Sequence, residues 1–191
     1  MGVPIECSFM PDQKQAVILL KAKHAIEATE WQDFITWAGA CLEDAHDTPS
    51  LRILAGLNES QPSEVEHYLH LSLNELGWLL PSRDECLFRY AQSIARLMLI
   101  GEMSLRAGAA LLYKITISSE NPDLTLNYWL TCDDEISLID SGVSRYSMRA
   151  LEKNILDSAR ILAGVDDKGT NRQSLLQWPQ GDFECGDHLL S

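Results

Sequence analysis

Apolar side chains recur along this chain at helical spacing. Within residues 29–47, Trp31, Phe34, Ile35, Ala38, Cys41, Leu42 and Ala45 follow the i, i+3, i+4, i+7 order of a helix with one buried face. The period returns as Val65, Leu69, Leu73 and Leu76, and again as Met148, Leu151, Ile155, Ala159 and Leu162. Between them, Leu87, Tyr90, Ala91, Ile94, Leu97 and Met98 belong to a segment that is apolar around most of its surface, as a central helix would be. No segment alternates apolar and polar residues as a half-buried strand does. The pattern predicts an all-α bundle of about six or seven helices.

Start and stop signals place the boundaries. Helices are expected over Pro11–Ala28, from a capping box at Thr29–Gln32 to Asp47, from a second box at Ser63–Glu66 to Gly77, and from a third at Ser82–Glu85 to Gly101. Ser104 caps a helix to about Ile117, whose last turns YKITIS are β-branched enough to fray or extend. Asn121 and Pro122 open another near 122–131, CDDEISLIDSG reads as a link, and Ser144 opens the last, to Ala163, with Gly164 placed to stop it. Residues 48–62 read as a helical turn or two, or a packed connector. The domain is expected to span residues 1–163. The tail, 164–191, holds Leu175, Leu176, Trp178 and Phe183 and is expected to be ordered by docking on the body or on a neighbouring chain.

Charge changes this otherwise ordinary picture. The chain has 191 residues, 28 acidic and 15 basic, for a net charge of −13. Between Glu27 and Glu75 ten acids face one base, Arg52, so −9 of the −13 lies in about a quarter of the length. Such a field repels nucleic acid and anionic headgroups, and it either attracts a basic protein partner or serves solubility alone. No apolar run approaches the roughly 18 residues of a membrane helix. The five cysteines are scattered without a CxxC pair. The opening residues MGVPIECS show no basic stretch before an apolar core. Together these predict a cytoplasmic protein, with neither a nucleic-acid nor a membrane partner.

Candidate chemistry concentrates in CLEDAHDTPS, residues 41–50, where Glu43, Asp44, His46 and Asp47 fall within five positions. Acids at a helix C-terminus oppose the macrodipole at a few tenths of a kcal/mol each, which hints at a use elsewhere. The surface reading leaves the 43–47 cluster a solvated acidic turn, or makes Glu43, Asp44, Asp47, Glu59, Glu64 and Glu66 a partner-binding face, with Trp37 as an aromatic anchor at the stripe's edge. Alternatively, Trp37 packs under the 48–62 loop. The metal reading uses His46, or the i, i+3 pair His67 and His70 flanking the buried stripe. His24, His46, Asp47 and Asp133 also occur in the order of an HD-type metal phosphohydrolase, though the residues after His46-Asp47 give that reading no support. No HExxH, GxSxG, Walker A or GxGxxG sequence occurs, and no cofactor is expected.

Three stretches carry a family resemblance: LRILAGL (51–57), NELGWLLPS (74–82) and ARLMLIGEMSLRAGAALLYKI (95–115). They resemble uncharacterised small helical bacterial proteins, some similar in kind to the immunity proteins of polymorphic toxins. Ser104-Leu105 stands where that pattern has an acid followed by proline. The resemblance implies a helical fold, no catalytic residues, and a basic partner such as a toxin. The expectation is a non-enzymatic acidic protein-binding module of immunity or antitoxin type. The alternatives are an HD-like metal-dependent phosphohydrolase and a homo-oligomeric scaffold closed by the tail.

Overall fold

The computed structural model of the protein describes residues 12–143 and 147–165. Among these are eight α-helices: α1 Gln13–Ala25, α2 Trp31–Glu43, α3 Pro49–Ala55, α4 Pro62–Glu75, α5 Arg83–Leu99, α6 Leu105–Ser118, α7 Tyr128–Asp140 and α8 Met148–Ala163. A single 3-10 turn, Leu124–Leu126, precedes α7. The all-helical reading holds, and α3 is the eighth helix, formed from the connector piece. Pro11, Ser144 and the tail beyond Val165 lie outside the described residues.

Local chemistry explains most boundaries. Asp12, Ser82, Ser104 and Ser147 accept backbone N–H groups at the starts of α1, α5, α6 and α8. Gly164 takes the left-handed conformation at φ 67° and closes α8, as its position suggested. The residues YKITIS stay helical, with Ile115 and Thr116 buried.

Four expectations are corrected. The capping box of α2 is Glu30 with Asp33, one residue later than Thr29–Gln32; Thr29 instead donates its hydroxyl to Asp33. Helix α2 ends at Glu43, so Ala45 is exposed in a left-handed turn at φ 64° and Asp47 lies beyond the helix. Helix α4 starts at Pro62, whose fixed φ suits the first helical position, and Ser63–Glu66 forms no box. The stretch 132–142 is helical for most of its length because Trp129, Cys132 and Ile136 form a buried stripe; Asp123 caps only the 3-10 turn.

The helices surround two apolar cores. Val17 joins Phe34, Ile35, Ala38, Cys41, Leu51, Leu54, Val65, Leu69 and Leu73 in a core built by α2, α3 and α4. Ile18, Ala22 and Ile26 join the larger core of α5–α8, where Trp129, Leu87, Ile94, Leu112 and Ile155 are fully buried. Neighbouring helical residues point about 100° apart, so α1 serves both cores through adjacent faces. Helix α5 packs against α1, α6 and α8 and is the central helix, as expected. No helix among the described residues is long and apolar enough to cross a membrane. Cys41, Cys86 and Cys132 are free and buried.

Asp84 clamps the turn after α6. Its carboxylate accepts from Ser119 Oγ at 2.9 Å and from the amides of Glu120 and Asn121 at 3.0 and 2.9 Å. Burial pushes its pKa up, but these three hydrogen bonds and the nearby Arg83 charge outweigh that and hold it below the ordinary 3.8. The unfolded chain therefore binds the proton first. The stabilisation is complete above the unfolded value and disappears as pH falls through the lower folded one. Asp84→Asn is expected to cost about 1–2 kcal/mol at neutral pH. Thermal unfolding from pH 7 to pH 2 should then show a shallower acid-side decline than in the wild type.

Candidate functional site

The carboxylates between Glu27 and Glu75 divide into those the fold uses and those it leaves in solvent. Glu30 and Asp33 serve the α2 capping box. Glu75 reaches from the end of α4 to the start of α3, accepting from Ser50 N at 3.0 Å and Ser50 Oγ at 2.6 Å. Hydrogen bonds from the Ser50 hydroxyl and amide, and from Thr48, hold its pKa low. Asp47 forms a two-armed pair with Arg52, whose hydrogen bonds lower the carboxyl pKa. That is the one ion pair within this stretch among the described residues. Glu43, Asp44, Glu59, Glu64 and Glu66 are all exposed and form no ion pair there. Asp44 accepts from Gln13 Nε2 at 2.7 Å, and Glu64 from Gln61 Nε2 at 3.0 Å.

These residues do not make one continuous face. The Ser50–Glu75 contacts place the end of α4 beside the start of α3, next to the loop that leaves α2. Glu43, Asp44 and Asp47 gather at this end. Glu59, Glu64 and Glu66 sit at the opposite end, around the turn into α4. Glu64 and Glu75 are separated by about 16 Å along α4 at 1.5 Å per residue. The screening length is about 8 Å in physiological salt, so the ends present two distinct negative clusters. Periodicity along each helix cannot show this, because it depends on how α3 and α4 fold back.

Trp37 is corrected from surface anchor to structural residue. It is 4% exposed, its Nε1 donates to the Gln13 carbonyl at 2.9 Å, and its ring packs near Trp78. Trp31, expected inside, is half-buried against His24 and Phe34. The α2 stripe is therefore rotated: Trp37 faces the α2–α4 core and Trp31 lies at its margin. Trp78 was not among the expected site residues, yet it holds the acidic loop in place through His46, whose ring meets it edge-on at 5.1 Å.

The histidines are dispersed. His46 rests on Trp78, His67 meets Tyr68 edge-on, and His70 is exposed. His24 packs with Trp31 and Phe34, and Asp47 is occupied by Arg52. Among the described residues no three His, Cys, Asp or Glu groups converge as metal ligands. No family model, curated protein or solved structure matches this chain.

Proposed function

We propose that this chain is a non-enzymatic protein-binding module of immunity or antitoxin type, whose two acidic clusters engage a basic protein partner. One observation carries the reading: Glu43, Asp44, Glu59, Glu64 and Glu66 stand exposed around α2–α4 without an ion pair among the described residues. Carboxylates placed only to support the fold would resemble Glu30, Asp33 and Glu75, which accept backbone N–H groups at helix starts, whereas Asp44 and Glu64 accept only from the side-chain amides of Gln13 and Gln61. Glu43 and Asp44 do the reverse, since they oppose the dipole at the end of α2.

Rim carboxylates of this kind act mainly on the rate of encounter. Steering by a charged surface raises association rates by about 10- to 1,000-fold at low salt, while dissociation depends on the buried contacts. The proposal is tested by capturing the partner through cross-linking to the full chain, purifying it, and following association across an ionic-strength series. The on-rate should fall at least about tenfold between 0.02 and 0.5 M salt, roughly the range from unscreened to screened surface charge, with little change in the off-rate. A salt-independent on-rate would contradict it.

A further inference from the structure

A basic cleft on this acidic molecule lies where the two cores meet. A cleft of about 240 Å³ is lined by Lys21, His24 and Ala25 from the last turns of α1, and by Pro81, Arg83 and Cys86 at the start of α5. Lys21 and His24 are three residues apart and share a helical face. Arg83 donates to the Ala25 carbonyl at 3.4 Å, which draws its guanidinium across the end of α1. That bond uses one of five donors and leaves the rest of the fork for another acceptor. Neither Lys21 nor Arg83 has an ion-pair partner among the described residues.

Two of the acids closest in sequence have partners of their own, although Asp84 still feels the Arg83 charge. Asp84 clamps residues 119–121, and Glu85 pairs with Arg89 at 2.6 Å. Glu27 is exposed in the turn after α1. Cys86 adds no negative charge, because burial raises its thiol pKa and the thiol lies 3.7 Å from the Pro81 carbonyl. His24 is held by Trp31, at 4.3 Å between ring centroids, and by Phe34 at 5.5 Å. Its Nδ1 is buried without a hydrogen-bond partner. The ring as a whole is only partly buried, and His24 lines the cleft.

We propose that this cleft binds the phosphate group of a small molecule, held by Lys21 and the Arg83 guanidinium, with His24 as a third contact. Two cations and an imidazole arriving from two helices suit a tetrahedral dianion with several acceptor oxygens. A planar carboxylate would be met mainly by the Arg83 fork. Junctions between packed units are frequent ligand sites, and this one joins α1 to the linker into α5. The site is independent of the acidic clusters, so its failure leaves the partner-binding reading intact.

The test uses the full chain and inorganic phosphate, titrated at constant ionic strength against chloride and followed by amide NMR spectra. Saturable shifts are expected at residues 21–25 and 82–86, with a Kd near or below about 1 mM. Acetate should bind at least about fivefold more weakly. The Lys21→Met/Arg83→Gln double variant should lose about tenfold in affinity. If that variant unfolds, Lys21→Met alone should lose at least about threefold. Unsaturable shifts, shifts confined to other residues, equal binding of acetate, or unchanged affinity in the folded variant would each overturn the proposal.

Discussion

Replacing Trp129 with alanine is expected to lower the free energy of unfolding by about 4 kcal/mol, the largest single-residue effect expected among the described residues. Trp129 is fully buried in the α5–α8 core and is the largest side chain to be so among the described residues. Its Nε1 has no hydrogen-bond partner, so the whole contribution is packing and removal of apolar surface from water. Truncation leaves a cavity that helices held at several points cannot close. Trp129→Phe should cost clearly less, because it keeps an aromatic ring and discards a buried donor that gains nothing in the folded state. Denaturant titration checks both: the midpoint should move while the slope stays constant. A cost below about 1 kcal/mol for the alanine variant would mean that the core is looser than its burial implies.

The second large effect is expected at the contact between α5 and α6. A Cβ at Gly108 would lie 2.2 Å from Met98 Sδ and 2.5 Å from Met98 Cγ. Within an exposed helix, replacing glycine by alanine would be stabilising by about 0.5–1 kcal/mol. Here the gain is outweighed, because Met98 is 2% exposed and its inner Cγ, not only its flexible tip, would have to move. Gly108→Ala should therefore destabilise by about 2 kcal/mol. The clash predicts a particular coupling. Adding Met98→Ala should cost far less in the Gly108→Ala background than in the wild type, and a double-mutant cycle in denaturant measures that difference. Simple additivity of the two changes would rule out the proposed contact.

Much of this architecture can be read from the chain because its helices are bounded by local chemistry. Ser82, Ser104 and Gly164 act within a few residues of themselves, and they sit where a linear reading puts them. The stripes on α4, α5 and α8 also survive, since each of these helices meets its core along one continuous face. Failures arise where a neighbouring element decides. Thr29 and Glu30 are both able to cap α2, and the choice fell to the carboxylate of Asp33, which reaches back to the Glu30 amide. Trp31 follows the spacing of the α2 stripe in the sequence and Trp37 stands at its edge, yet the fold buries Trp37 and leaves Trp31 half-buried. The Gln13 carbonyl on α1 supplies Trp37 with an acceptor inside the fold, and no local pattern announces it.

The candidate sites divide in the same way. An excess of acid between Glu27 and Glu75 is visible from counting alone. Its separation into two ends is not, because it follows from the contact between Ser50 and Glu75. The basic cleft is harder still to foresee. Lys21 and His24 show helical spacing, but Arg83 lies 58 positions beyond Ala25 and reaches it only after α2, α3 and α4 have folded back. Expectations about the tail past Val165 concern residues outside those described.

Separate reversal of the two acidic ends tests the central claim most directly. One variant carries Glu43→Lys, Asp44→Lys and Asp47→Lys; the other carries Glu59→Lys, Glu64→Lys and Glu66→Lys. Both are compared with the wild type for association with the purified partner at low and physiological salt, after thermal unfolding has confirmed that each folds. At least one variant is expected to slow association by about tenfold or more at low salt, with the difference shrinking as salt screens the field. Wild-type association rates in both folded variants at both salt concentrations would contradict the acidic-surface account.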